Sequence, residues 1–260
     1  MSTPSIAELR AVCQPESLLG RVDAEHWAGR LYMRRLSPYV TRVLIATSLT
    51  PNGVTWLMIA SGLLAAVSLT FPGVLGALGA FVLIQAQLLF DCCDGEVARW
   101  RRCFSPRGVY LDGIGHYSTD AALAAALGVR ADGGWGSIGG WTTLGLLVAV
   151  LVLFLKSESH LVEVARAHSG RPPHEASAQS SAPLPGVLRR IRRAARFVPF
   201  FRAFLAIEAT LLALVAAVAD AVAGDLSGTR VLLLALVPLA LVTVAGHLVA
   251  ILASKRLDDQ

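Results

Sequence analysis

From residue 52 to residue 253 the chain is a succession of apolar stretches separated by short polar connections. Each stretch has nearly the length needed to cross a bilayer, and this leaves few folds open. A helix rises about 1.5 Å per residue, so about 20 apolar residues cover a hydrocarbon core of roughly 30 Å. Inside a bilayer every backbone N–H and C=O must be satisfied within the protein, which restricts spanning segments to helices and closed barrels. Unbroken apolar runs of this length select helices. Six spans are expected, over residues 52–71, 74–90, 109–129, 137–155, 201–223 and 231–253. Composition agrees. Only 16% of residues are charged and mean hydropathy is +0.60, whereas a soluble domain carries about a quarter charged residues.

The expected class is an all-α integral membrane protein with six transmembrane helices and an N-terminal amphipathic juxtamembrane helix. Residues 1–20 are mixed and polar, with no apolar run behind a basic start, so they are expected to be a cytoplasmic extension and not a signal peptide. Residues 21–49 mix Trp27, Leu31, Tyr32, Leu36, Tyr39, Val43 and Leu44 with Arg30, Arg34, Arg35 and Arg42, a pattern suited to a basic helix lying in the interface. Pro38 is expected to kink or divide it. Residues 50–255 form the six-helix domain, opened by the helix-start signal Thr50-Pro51-Asn52. Residues 169–186, rich in Ser, Pro, Ala and Gly, read as a flexible cytoplasmic loop, and residues 188–201 as a basic interfacial segment.

Charge orients the spans. With both termini inside, every lysine and arginine of the 23 falls on the cytoplasmic side except Arg130 and Arg230. That asymmetry is the positive-inside signal. The net charge of +5 is then topological, and no nucleic-acid partner is expected. The expected location is the cytoplasmic membrane, multi-pass, with the active site inside. Cys13, Cys92, Cys93 and Cys103 have no CxxC spacing and are expected to be free thiols.

Against this apolar background, ionisable residues gather where the second apolar stretch ends and the third begins. Intramembrane charges are expensive and mark functional sites by default. Asp91 and Asp94 are three residues apart, Asp112 and His116 four apart, and each pair lies on one helix face. Two antiparallel helices joined by a short basic turn bring the pairs together. Hard carboxylate oxygens without thiolate spacing suit Mg²⁺ or Mn²⁺. Gly95 and Gly108 permit close approach of a ligand, and Arg99 can neutralise a phosphate. The cluster describes a metal-assisted phosphoryl-type transfer site. A transporter is disfavoured because the polar residues sit at one face and not at the midplane.

The order Asp91, Asp94, Gly95, Ala98, Arg99, Gly108, Asp112 resembles the signature Asp-x2-Asp-Gly-x2-Ala-Arg-x8-Gly-x3-Asp-x3-Asp of the CDP-alcohol phosphatidyltransferases (phosphotransferases). Thr50-Pro51-Asn52 with Thr55 is similar to the segment preceding that family's first span. The resemblance covers residues 20–255 and implies the following. A phospho-alcohol (phosphatidyl) group passes from a CDP-linked donor to an acceptor hydroxyl with release of CMP, in phospholipid or polar-lipid biosynthesis. Asp91, Asp94, Asp112 and the residue at position 116 hold two divalent ions. Thr50, Pro51, Asn52, Gly53, Gly95, Ala98, Arg99, Ser105 and Gly108 line the CDP site. A homodimer is implied as well. CDP-diacylglycerol and soluble CDP-alcohols both suit the donor site, and glycerol phosphate, inositol phosphate, serine and other polyols suit the acceptor site. Lys156 and Arg202 are weak candidates for the acceptor, with a solvated helix end the alternative for Lys156.

The last motif position departs from the family, because His116 stands where an aspartate is expected. Histidine can ligate a metal or act as a general base near neutral pH, but it cannot bridge two ions and it removes one negative charge. One of the two ions is therefore expected to be weakened. Asp120, one turn further on, is a candidate to orient His116. The competing reading is a non-catalytic membrane protein that binds a CDP-lipid or metal because the catalytic Asp is missing.

Overall fold

The computed structural model describes residues 4–15, 27–171, 200–253 and 257. These are helical throughout, with turns between helices. In chain order the helices are α1 (Ile6–Cys13), a π-helical stretch (Gly29–Met33) continuous with α2 (Arg34–Ile45), α3 (Pro51–Leu69), α4 (Val74–Arg101), α5 (Pro106–Ala131), α6 (Gly140–His168), α7 (Ala206–Ala223) and α8 (Ser227–Leu252), with 3₁₀ turns at Trp135–Ser137 and Phe200–Phe204. The chain divides into two compact units. One comprises Met1–Ser68 with Leu78–Thr119, the other Leu69–Ala77 with Asp120–Gln260.

Among the described residues five helices are long and apolar enough to cross a membrane: α3, α4, α6, α7 and α8. The expected third span lies in α5, which has the length (26 residues). It does not have the composition, because Asp112, His116, Asp120 and Arg130 all fall within it. Helix ends also differ from those expected. The 28 residues of α4 rise about 42 Å, so the turns carrying Asp91 to Arg101 extend beyond the apolar run. The 29 residues of α6 continue well past residue 155, and α7 begins at Ala206 because residues 200–204 form a 3₁₀ turn. All of the loop expected at 169–186 beyond residue 171, and all but the last two residues of the basic segment at 188–201, lie outside the described residues.

In the first unit, α3 starts as its sequence dictates. Pro51 takes the first helical position and the Thr50 hydroxyl accepts the N–H of Gly53 at 3.1 Å. Ser105 does the same for α5, accepting from the Gly108 N–H at 3.1 Å ahead of Pro106. A small core of Val54, Cys93 and Val97, surrounded by Val40, Leu44, Ile45, Leu49, Leu89 and Phe90, joins α2, α3 and α4. Arg101, at the end of α4, donates to the carbonyls of Leu49 (2.5 Å) and Thr47 (2.8 Å), fastening the turn after α2.

Helix α2 has its two faces the opposite way round from a soluble helix. Ser37, Pro38 and Thr41 are buried, while Leu36, Tyr39 and Val43 are exposed beside Arg35 and Arg42. Of the two effects expected of Pro38, a kink or a division, the division does not occur, and α2 runs from Arg34 through to Ile45. Proline removes the N–H that would bond to the carbonyl four residues earlier. That carbonyl, of Arg34, instead accepts from the Gln14 side-chain amide at 2.8 Å. Helix α1 is capped by the reciprocal Ser5–Glu8 pair and buries Leu9 and Cys13, so residues 5–14 are an integral part of this unit.

In the second unit α8 packs on α6 and α7. The N-terminal half of α6 comes close to α5, where a Cβ on Gly145 would lie 2.7 Å from the Gly128 Cα. Only hydrogen fits at either position, as at the small-residue contacts between membrane helices. Arg130 is fully buried and donates to the carbonyls of Phe71 (2.8 Å) and Gly73 (3.0 Å) and to Thr229 Oγ1 (3.2 Å), with Asp220 at 3.8 Å. The Pro72-Gly73 turn it grips has the positive φ, 95°, that glycine supplies.

Candidate active site

The motif residues of α4 and α5 meet in the first unit. His116 Nε2 lies 3.2 Å from Asp91 Oδ1 and 3.5 Å from Asp112 Oδ1. Asp91, Asp112 and His116 each present one donor atom, all within 4.8 Å of one another, and all three side chains are partly exposed. Helical spacing explains the pair on α5, since residues four apart share a face. Asp91 reaches that face from the neighbouring helix. Two carboxylate oxygens around one ring nitrogen form a site that demands a cation, either the imidazolium proton or a metal ion.

Asp94 stands one turn along α4 and is held from a third helix. Its Oδ2 accepts from the Thr55 hydroxyl at 2.8 Å, and Oδ1 accepts from the Gly95 N–H at 2.5 Å. Each carboxylate oxygen keeps a second lone pair for a ligand. The N-termini of α3 and α5 lie side by side, for a Cβ on Gly108 would come within 3.0 Å of Asn52 Oδ1. Thr50, Pro51, Asn52, Gly53, Ser105 and Gly108 thus gather at two helix N-termini, whose free N–H groups favour an anion. The Arg99 guanidinium folds over Gly95, where a Cβ would lie 3.2 Å from Nη1. Ala98, one residue before it, has a backbone carbonyl that accepts from Cys103 and closes the end of α4.

Three expected residues belong to the second unit. Asp120 Oδ2 pairs with Lys156 Nζ at 2.6 Å, so this carboxylate has a cationic partner of its own. Arg202 lies partly buried in the 3₁₀ turn before α7. Glu158 and His247 form a further pair at 2.7 Å.

The sequence reading missed Glu96. Its side chain is fully buried, and it accepts from Ser37 Oγ (2.6 Å), Thr41 Oγ1 (2.6 Å) and Gln14 Nε2 (2.8 Å), with Arg34 at 3.9 Å. A buried carboxylate survives only with such donors. The available signal was the polar face of α2, with Ser37 and Thr41 four apart.

Comparison with known proteins places this geometry in context. The family model for CDP-alcohol phosphatidyltransferase matches residues 48–191, more than half the chain. The chain is 29% identical over 120 residues to the "Bifunctional IPC transferase and DIPP synthase" of Aquifex aeolicus (strain VF5). That match covers 46% of this chain and 26% of the relative, so the chain spans about a quarter of the relative's length. The matched region contains the whole Asp91–His116 motif together with its Thr50 and Asn52 neighbours, and the chain belongs to the CDP-alcohol phosphatidyltransferase family.

Proposed function

We propose that the protein transfers a phospho-alcohol group from a CDP-linked donor to an acceptor hydroxyl, releasing CMP, in a divalent-metal-dependent reaction at the cytoplasmic face of the membrane. The observation that carries this is the convergence of His116 with Asp91 and Asp112, beside two helix N-termini and Arg99. α5 is the sixth span, its polar side turned to the site. The exposed apolar face of α2 lies in the interface, and the positive-inside asymmetry sets the orientation. The protein acts as a homodimer in polar-lipid synthesis, as the family resemblance implies, and the transferase name of the Aquifex relative agrees with the reaction class.

The donor set fits Mg²⁺ or Mn²⁺, because hard carboxylate oxygens and one imidazole nitrogen already converge within ligand range of a common point. Asp91, Asp94, Asp112 and His116 are the residues that would hold such ions. When bound, a divalent ion polarises phosphoryl oxygens and neutralises charge on the departing nucleotide. The protein's own groups do the rest. Thr55 holds Asp94 in place. Arg99, together with the paired starts of α3 and α5 around Thr50–Gly53 and Ser105–Gly108, receives the anionic diphosphate. As general base, the alternative to ligating an ion through Nε2, His116 takes the proton of the acceptor hydroxyl, and the carboxylates of Asp91 and Asp112 stabilise the resulting imidazolium. Lys156 and Arg202 are proposed contacts for a polar acceptor, and Asp120, one turn along α5 from His116 and paired with Lys156, is proposed to support His116.

The deciding experiment is CMP release by purified protein with Mg²⁺ or Mn²⁺ and panels of CDP-linked donors and acceptor alcohols. Metal-dependent CMP release with at least one pair is expected. Absence of release with every pair, together with a gain of activity in His116→Asp, would overturn catalysis by the natural chain.

A further inference from the structure

The residues that precede the family domain touch its site. The family match begins at residue 48, yet Arg99, the motif's cation, donates from Nε to the backbone carbonyl of Cys13 at 2.6 Å. The Cys13 thiol in turn donates to the Glu96 carbonyl at 3.3 Å. The next residue, Gln14, spreads one side-chain amide over three acceptors: Glu96 Oε1 (2.8 Å), the Arg34 carbonyl left bare by Pro38 (2.8 Å) and Ser37 Oγ (3.3 Å). Leu9 and Cys13 are buried, so α1 is anchored by apolar burial as well as by these bonds.

We propose that residues 5–15 are a positioning strap for Arg99, with Gln14 the positioning residue that locks the strap to α4. A free arginine side chain samples many rotamers, and ordering it on binding weakens an anion's affinity. Here Nε is tied by the strap, and the guanidinium rests over Gly95, the residue next to Asp94, so a bound anion would meet a cation already placed. Glu96 sits in the middle of the motif but on the opposite face from Asp91. It serves as the strap's buckle and does not touch the metal group. The strap reaches Arg99 and not the Asp91–Asp112–His116 cluster, so it sets affinity for the nucleotide and leaves ion binding alone.

This inference rests on the proposed role of Arg99 as a diphosphate contact. The test uses the full chain in detergent or nanodiscs, with CDP plus Mg²⁺ as one probe and Mn²⁺ alone as the other. Gln14→Leu keeps the side chain's bulk and removes its donors, and deletion of residues 2–15 removes the strap outright. In both, CDP affinity measured by calorimetry falls about ten-fold, while Mn²⁺ affinity measured by electron paramagnetic resonance stays within about two-fold of wild type. In an Arg99→Ala background, Gln14→Leu has no further effect on CDP, because the residue it positions is gone. Undiminished CDP affinity in both variants would overturn the strap and leave the site reading intact. So would an equal loss of CDP affinity with and without Arg99, or a parallel loss of Mn²⁺ and CDP, since each marks a purely structural role. Wild-type protein that bound Mn²⁺ but no CDP would overturn the nucleotide reading and the strap with it.

Discussion

His116 on α5 reaches across to Asp91 on α4, Nε2 to Oδ1, at 3.2 Å, a contact that spans 25 positions of sequence. It is the link between the two halves of the motif. In the proposed reaction His116→Ala lowers kcat for CMP release by roughly 100-fold or more, the usual contribution of a positioned base. His116→Asp restores the family's carboxylate and keeps activity within about ten-fold of wild type while tightening Mn²⁺ binding. Steady-state CMP release and Mn²⁺ titration of the two variants check this. Full activity in His116→Ala would remove the imidazole from the mechanism.

Glu96 gathers donors from α2 and the segment after α1. Glu96→Ala leaves Ser37, Thr41 and Gln14 facing a void without an acceptor, at a cost of about 3–5 kcal/mol, the usual penalty for removing one member of a buried charged network. The expected result is a fall in thermal midpoint in detergent well beyond that of an exposed control such as Arg35→Ala. A midpoint equal to the control would contradict the role assigned to Glu96.

Arg130 is the other buried hub, tying the 71–73 turn to Thr229 and Asp220. Arg130→Leu strands the Asp220 carboxylate and is expected to destabilise by about 3–5 kcal/mol. The double variant Arg130→Leu with Asp220→Leu recovers part of the loss, because no lone charge remains. Denaturation curves of the two single variants and the double variant form the cycle that measures the coupling.

Thiol chemistry separates Cys103 from Cys13. Cys103 is exposed and the other three cysteines are buried. Burial, reinforced by the nearby Glu96 charge, pushes the Cys13 thiol from 9.0 up to about 11. A maleimide at pH 7.5 is therefore expected to modify Cys103 alone, and iodoacetamide at pH 9 still leaves Cys13 unmodified until the protein unfolds. A thiol with a raised folded pKa holds its proton more tightly when folded. Its contribution to stability is complete below about pH 9 and is lost as pH climbs toward 11. Mass spectrometry after labelling checks the first statement, and thermal midpoints across that pH range check the second.

How much of this was readable in the amino acids differs from one residue to another. Thr50 with Pro51 and Ser105 with Pro106 are helix starts by local rule, and the structure places helix starts there. The Pro72-Gly73 turn was equally plain. Asp91, Asp112 and His116 could be brought together from spacing alone, since four residues on one helix and a short turn leave little freedom. Pro38 shows the limit of a local rule. The rule allows a kink or a division, and the helix is not divided, while a side chain from residue 14 satisfies the carbonyl that proline orphans.

Sequence by itself determined the helical class, the order of the apolar helices along the chain and the membership of the motif, because hydropathy, capping and i to i+4 spacing act within a few residues of chain. Only tertiary structure decided that Glu96 is a buckle for the N-terminal segment, that Asp120 pairs with Lys156, and that Arg130 is a buried clip and not a loop charge. Each of these is a polar group whose burial is tolerable only beside a partner tens of residues away, and nothing in the local sequence names that partner.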